Sequence, residues 1–515
     1  MAARRPKRIL IASANPWSFC MAVERELAAI HSEDEVDAID LFTLCGKASP
    51  HWRRRDKIIE SLNRKIDRFV MPAINGRNIT SEIHIERAPV PPLPRTYAEL
   101  RKYELGGAKL GLAVLSSVSS LTTIQFPESL AEYGAVLKPA WQSAHLSLRA
   151  GEVVRGLGYD RIHIFNGRHC YSRPFCDVLD QASEVIRYEQ GSAGNRYITA
   201  PGPVQHPVEI ARLMEEHRLD GAAGESFYRE RFEKHASSEA SFFTAPQRSG
   251  ALPETLEGQK IVTFFTSSSD ELFAAFDDTS YGSFANQHEI ALAVADICKA
   301  QGLRLVVRLH PHLRFKHRTW TREWDFAELK RRGVLVLEPE DPTDSYELLR
   351  SCYAVISTGS TVGIEASYLG IPNAVVGICV AGCLGASVVA DTTDELARFI
   401  LKPELPPNAR EAALRFGSFY KTGGKLLPEL DVGIHPNMAR IDGRIVDPVR
   451  YAAQKLRFLF RRPADPDALD VRSGMQAGRV LLPPGTDYSS AYGKAATSGG
   501  TKFRRASTEN SLSGE

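Results

Sequence analysis

The sequence predicts an α/β protein made of two doubly wound, parallel-sheet domains followed by a tail without packed structure. Three observations predict it. Short β-branched apolar runs alternate with helical segments in two separate series, one beginning at Arg8 and one at Lys260; that alternation makes a parallel sheet covered by helices. A Ser/Ala/Pro/Gly-rich stretch, Ser237 to Pro253, separates the two series. At 515 residues the chain is also longer than one hydrophobic core supports, which calls for at least two domains.

Arg8 to Ala14 is a first strand, Asn15-Pro16-Trp17-Ser18 turns the chain, and Cys20 to Ile30 has helical spacing. Val36 to Phe42 is the next strand, so the chain opens as βαβ. The charges of His51-Trp-Arg-Arg-Arg-Asp56 and Asn63-Arg-Lys65 mark a helical stretch expected to show a charged face to solvent. Leu110 to Ile124, interrupted by serines and threonines, falls short of the roughly 18 uncharged apolar residues of a membrane span and reads as a buried helix or helix pair. Arg161 to Phe165 is a third strand ending in Asn166-Gly167-Arg168, where the arginine either holds an anion or closes a turn. A helix from Tyr171 to Leu179 leads to a fourth strand, Glu184 to Tyr188, which ends in Glu189-Gln190-Gly191-Ser192. Functional-looking groups thus end two adjacent strands. His206-Pro207 follows no apolar run and carries little weight.

The second series begins at Lys260 to Phe265 and runs into Thr266-Ser267-Ser268-Ser269-Asp270-Glu271. A helix follows from Phe284 to Ala300, then strands at 303–309, 334–338, 353–356 and 373–377. Leu303 to Leu309 ends at His310-Pro311; Tyr353 to Ile356 ends at Ser357-Thr358-Gly359-Ser360-Thr361, and Val362-Gly363-Ile364-Glu365-Ala366 resumes helical spacing. A loop of hydroxyl and glycine residues opening a helix aims unpaired backbone N–H groups outward, where a phosphate binds. The same pattern suits a plain cap made by Ser360 or Thr361. His310 stands at the carboxyl end of a neighbouring strand, where open α/β sheets bind ligands. Together these residues read as a nucleotide-phosphate site, with Glu365 one turn into the helix to accept hydrogen bonds from a ribose.

After Leu401 the chain is Pro-rich, then helical and basic. Tyr451 to Arg462 mixes Leu456, Phe458, Leu459 and Phe460 with Lys455, Arg457, Arg461 and Arg462, which suits either an anionic lipid surface or packing on the first domain. From Pro463 the tail is expected to be disordered. A net charge of +2 makes no case for nucleic acid as a partner. Eight scattered cysteines without a CxxC pair argue against a zinc ribbon and a secreted disulfide framework, and suit a reducing cytoplasm. The apolar run after the basic N-terminus is too short for a signal sequence.

Arg308-Leu-His310-Pro311, Asp344-Ser345-Tyr346-Glu-Leu-Leu349 and Ser357 to Ala366 with Gly370-Ile-Pro372 resemble stretches of bacterial capsule and surface polysaccharide biosynthesis proteins. That family includes the capsular Kdo transferases and, more distantly, the CDP-glycerol glycerophosphotransferases. Thr266 to Glu271 and Phe165 to Arg168 are similar to stretches of the same family. Glu189-Gln190-Gly191 resembles the acidic-x-Gly element that carries the catalytic carboxylate in related GT-B sialyl- and Kdo-transferases, although Gln190 stands where a second acid is often found. The resemblance runs from about residue 160 to 378.

The resemblance implies a GT-B-like fold, two Rossmann-like domains facing across a cleft. The expected divisions are an acceptor and catalytic domain at 1–245, a nucleotide-sugar domain at 255–402, C-terminal helices at 403–462 and a tail at 463–515. It implies a glycosyltransferase moving a sugar from a nucleotide-activated, CMP-Kdo-like donor to a surface or capsular polysaccharide. A nucleotide-sugar epimerase, a CDP-polyol phosphotransferase and a non-catalytic nucleotide-sugar-binding assembly partner stay open as alternatives. In this reading Glu189 is catalytic, and His310, Pro311, Ser267, Ser268, Ser357, Thr358, Gly359, Ser360, Thr361, Gly363 and Glu365 hold the nucleotide. Asn166, Arg168, Arg196 and Arg308 contact donor or acceptor. No metal and no cofactor besides the donor is implied. The implied partners are a glycan or glycolipid acceptor, export machinery and an anionic membrane surface, met from the cytoplasm at the inner face of the plasma membrane.

Overall fold

The computed structural model describes residues 5–459, apart from 55–56, 59, 61–63, 86–88, 124–129, 131–132, 193, 234–243, 245, 269–273 and 433–438. The expected tail, Phe460 to Arg462, Ser269 to Glu271 and part of the Ser237–Pro253 linker lie outside the described residues.

Two six-stranded sheets organise the chain, the α/β architecture expected from the sequence. The first holds β1 (Arg8–Ser13), β2 (Glu35–Asp40), β3 (Arg161–Phe165), β4 (Glu184–Gln190) and β5 (Arg196–Ala200). β1 to β4 are mutually parallel and β5 is antiparallel to β4. The second holds β6 (Ile261–Phe265), β7 (Arg304–Arg308), β8 (Leu335–Leu337), β9 (Cys352–Ser357), β10 (Asn373–Val375) and β11 (Val388–Val389), all parallel. Ile9 to Ala12 and Phe264 to Phe265 are buried because helices cover both faces, which is why these strands read as continuous apolar runs.

Both sheets reverse their winding beside their first strand. In the first, β2 lies on one side of β1 and β3 on the other; in the second, β7 lies on one side of β6 and β9 on the other. The crevices outside the carboxyl ends of β1/β3 and of β6/β9 are where such sheets take ligands.

Several expectations change. The second strand stops at Asp40, whose carboxylate accepts the Thr43 N–H and draws Leu41–Leu44 into a helical turn. β5 was not foreseen; it begins at Arg196 and pairs with the chain's return, β12 (Lys425–Leu426). The charged stretch around 51–65 is only partly solvated. His51 and Trp52 are buried, and Lys65 is 4% exposed because its ammonium is held by the Pro16 carbonyl at 2.7 Å, Asp447 at 2.7 Å and Glu60 at 3.0 Å. Leu110–Thr122 forms one buried helix. Among the described residues no helix is long and apolar enough to cross a membrane.

The segment after Leu401 touches both halves. Helix Ala409–Thr422 crosses helix Gly221–Phe232 closely, since a Cβ on Gly224 would lie 2.6 Å from the Leu414 carbonyl and one on Gly417 2.9 Å from that of Gly224. β12 then joins the first sheet, and Arg450, on helix Pro448–Leu459, pairs with Glu60 at 3.2 Å.

Candidate active site

Three strand ends converge in the second lobe. β6, β7 and β9 are neighbours, and their carboxyl ends release Thr266 to Ser268, His310-Pro311 and Ser357 to Thr361. Hydrogen bonds span the β6/β9 crevice. Ser267 Oγ and Thr358 Oγ1 lie 3.2 Å apart, Thr358 Oγ1 donates to Gln287 Oε1 at 2.8 Å, and the Ser267 N–H donates to the same oxygen at 2.9 Å. Gln287, the first residue of helix Gln287–Ala300, is itself fixed by its N–H to Glu323 Oε1 at 2.8 Å. These hydroxyls are thus ordered before a ligand arrives, which removes part of the entropic cost of binding.

The His310 N–H donates to Thr266 Oγ1 at 2.9 Å, and its Nδ1 accepts the His312 N–H at 3.1 Å, starting a short 3-10 turn with Pro311 in its first position. Burial, with the charges of Lys316 and Arg308, lowers the imidazole to about 4. It is therefore neutral at pH 7, and an accepting Nδ1 assigns its proton to Nε2.

At the end of β9 the Ser357 hydroxyl is buried without a partner. Gly359 has φ +89°, which glycine adopts without a Cβ clash. Helix Val362–Leu369 has no side-chain cap from Thr361, Ser360 Oγ accepts the Val362 N–H at 3.4 Å, and the Ser360 and Thr361 amides find no acceptor among the described residues. Amides left in that state can meet an anion. Gly363 lets the helix sit close, since a Cβ there would lie 3.1 Å from Ser357 Oγ.

Three residues expected at the nucleotide or substrate are engaged elsewhere. Glu365 is 2% exposed, and its Oε1 accepts from Arg231 Nε at 2.8 Å, while Arg231 Nη2 reaches Thr361 Oγ1 at 3.3 Å. The acid thus joins helix Gly221–Phe232 to the loop after β9 rather than presenting itself to a ribose. Arg308 is buried, donating to the carbonyls of Glu338 at 2.6 Å and Asp341 at 3.3 Å, so it braces the loop after β8. Arg196 likewise donates to the carbonyls of Thr422 and Gly424 and fastens the return strand.

In the first lobe, β3 and β4 end side by side at Asn166 and Glu189. Asn166 takes a left-handed conformation, φ +59°, which asparagine tolerates better than most residues. That bend lets its Nδ2 donate to Glu189 Oε2 at 2.5 Å while its Oδ1 accepts the Arg168 N–H at 3.1 Å. Glu189 Oε2 also accepts from Gln205 Nε2 at 3.2 Å, and Oε1 accepts the Gln190 N–H at 2.9 Å. Burial pushes the Glu189 carboxyl above the ordinary carboxylate range, against those donors and the Arg168 charge, which pull it down. Tyr188, the residue before it, meets a second buried acid: Glu24 accepts from Tyr188 Oη at 2.7 Å and is raised to about 8, chiefly by burial.

Two bridges join these strand ends to the other lobe. Gln205, on Glu189, is followed by His206, whose Nε2 lies 3.0 Å from Asp278 in the chain leaving β6. Thr123, three residues beyond the Ser120 that meets Arg168, accepts the His317 N–H at 3.0 Å from the chain leaving β7. Ala274 packs in the first-lobe core and the Phe276 carbonyl accepts from Arg101 at 3.0 Å, so the β6 loop leans on the first lobe. By contrast, a cavity of about 560 Å³ lined by Lys260, Arg304 and Tyr353 opens where β6, β7 and β9 begin, the edge opposite these loops.

Gln287, Gln205, Glu24 and Asp278 were not foreseen. Only His206 had a signal, the same His-Pro dipeptide as at 310, set aside because no strand precedes it.

No family model matches the chain, and no curated protein matches it. Solved structures similar to it include the KpsC β-Kdo 2,4-transferase of Thermosulfurimonas dismutans, at 13% identity and a TM-score of 0.31, covering 50% of this chain and 79% of that one. Another is the UDP-GlcNAc 2-epimerase of Methanocaldococcus jannaschii, at 11% identity and 0.27, covering 79% and 97%. A third is the glycosyltransferase SnogD of Streptomyces nogalater, at 14% and 0.23, covering 88% and 99%. Likeness at this level assigns no activity.

Proposed function

We propose that the protein is a GT-B-type glycosyltransferase that moves a sugar from a nucleotide-activated, CMP-Kdo-like donor to a surface or capsular polysaccharide. The observation that supports it is the linkage of a buried carboxyl of raised pKa at one sheet's carboxyl edge, through Gln205-His206 and Asp278, to the loop leaving the other sheet's crevice. Glu189 takes the proton of the acceptor hydroxyl as that oxygen bonds to the anomeric carbon and the sugar–phosphate bond breaks. In a double displacement the same carboxylate attacks the sugar first. Its raised pKa makes it a stronger base than an ordinary carboxylate.

The departing phosphate gains negative charge as its bond to the sugar breaks. His310 Nε2–H and the Ser360 and Thr361 amides meet that charge, while Ser267 and Thr358, whose hydroxyl protons are committed to Thr358 and Gln287, hold the flanking loops in place. Each hydrogen bond to it contributes roughly 1.5–3 kcal/mol and the helix end about 0.3–1 kcal/mol. Because the charge is larger in the transition state than in the bound donor, these contacts lower the barrier. The acceptor is a glycan or glycolipid, met at the cytoplasmic face of a membrane.

The test is transfer of a labelled sugar from CMP- and UDP-activated donors to a glycan acceptor by wild type and Glu189→Gln. Acceptor-dependent transfer that Glu189→Gln loses supports the reading. Conversion of the nucleotide sugar with no acceptor present would make the protein an epimerase.

A further inference from the structure

The loop that leaves β3 contains a buried cation unlike the others in this chain. Arg187, Arg196 and Arg308 are each held by backbone carbonyls, Arg187 also by Asp180. Arg168 is 7% exposed, yet the one hydrogen bond of its guanidinium is from Nη2 to Ser120 Oγ at 3.3 Å; Nε has no partner, and no carboxylate lies within ion-pair reach among the described residues. An arginine that merely closed a turn would take carbonyl oxygens as its three counterparts do. Glu189 is close enough to feel this charge but does not pair with it, and a buried charge without an ion-paired partner is costly and leaves its donors for an anion.

Beside it sit two imidazoles. His169 is fully buried and His51 is 8% exposed; their rings meet edge to face at 4.9 Å, and none of the four ring nitrogens has a partner. Burial and the Arg168 charge hold both rings neutral at pH 7, His51 at about 4 and His169 well below its ordinary value, so each keeps one N–H to donate. A cation would be repelled by Arg168; an anion would satisfy all three side chains. Asn166 ties the cluster to Glu189 by accepting the Arg168 N–H and donating to the carboxyl.

We propose that Arg168, His51 and His169 form a binding site for one negatively charged group of the substrate, a carboxylate or a phosphate ester, held beside Glu189. The identification of the ligand as substrate rests on the transferase reading. Arg168 supplies the paired N–H donors that fit either planar carboxylate or phosphate oxygens.

The experiment is calorimetric titration of the full chain with glucuronate, glycerol 3-phosphate and glucose, in wild type, Arg168→Gln and Arg168→Lys, with CMP and UDP titrated in parallel. One of the two anions is expected to bind wild type, at least tenfold more weakly to Arg168→Gln, with an intermediate loss in Arg168→Lys and no binding of glucose. Binding of glucuronate alone identifies a carboxylate, and of glycerol 3-phosphate alone a phosphate. Without ligand, Arg168→Gln should melt at the wild-type temperature or higher, because it removes an unpaired buried charge. The proposal is overturned if neither anion binds better than glucose, if Arg168→Gln binds the anion as wild type does, or if that variant melts several degrees lower. Loss of nucleotide binding by wild type alone would sink the transferase reading and leave the anion result standing.

Discussion

The two crevices differ in how their polar groups are satisfied, although each keeps some unmet, the Ser357 hydroxyl in the second among them. Around β6 and β9, Ser267, Thr358 and Gln287 are bonded to one another, and Glu365 is paired with Arg231. Around β1 and β3, Asn15 is fully buried with neither side-chain atom partnered, and Glu24 Oε2, Arg168 Nε and the His51 and His169 rings are in the same state. Loops fixed in advance suit a phosphate, which needs orientation and little chemistry. Buried groups short of partners hold shifted pKa values and unmet charge, the condition of a centre where protons and substrate groups exchange. On the proposed function the second lobe grips and the first reacts.

The largest test of that division is Glu189→Gln. Turnover should fall about 10³-fold, the scale of a lost general base, while the nucleotide Kd measured by calorimetry stays within about twofold. A loss confined to nucleotide affinity would reverse the assignment of the lobes. Glu365→Ala should next cost about 3 kcal/mol of stability in a denaturant titration, because Arg231 would keep its buried charge without its partner. A weaker nucleotide affinity at unchanged stability would restore Glu365 to the ribose.

Glu24 sharpens the comparison through pH. Its folded pKa of about 8 lies above that of the unfolded chain, so its contribution is fully present below about pH 4.5 and is lost as pH rises toward 8. Glu24→Gln should therefore gain stability over wild type progressively across that window; a difference independent of pH would contradict it. Smallest is Gln287→Ala, which frees Ser267 and Thr358. Nucleotide affinity should fall about fivefold, near 1 kcal/mol, with turnover at saturating donor unchanged. An effect on turnover alone would place Gln287 at the reacting atoms.

Legibility in the sequence follows the range of the interaction. The two sheets were readable because buried parallel strands leave apolar runs, and the loop after β9 because hydroxyl and glycine residues cluster between a strand and a helix. Strand β5 was not, since it pairs with residues 425–426 and shows no clean alternation of its own. Lys65 read as solvent-facing because its partner Asp447 lies far along the chain. Glu365 and Arg308 had the right neighbours for a ligand, and only packing shows them bound to Arg231 and to the loop after β8. Gln287 and Glu24 carry no local mark; their roles arise where the chain crosses itself.

Whether the β6/β7/β9 strand ends grip a nucleotide phosphate is decided by titrating CMP, UDP, CDP and GDP into wild type, His310→Ala and Glu189→Gln. At least one nucleotide should bind wild type, about tenfold more weakly to His310→Ala, the loss of one hydrogen bond to an anion, and with unchanged affinity to Glu189→Gln. Equal affinity of wild type and His310→Ala for every nucleotide that binds, or no binding at all, would contradict a phosphate grip at these strand ends.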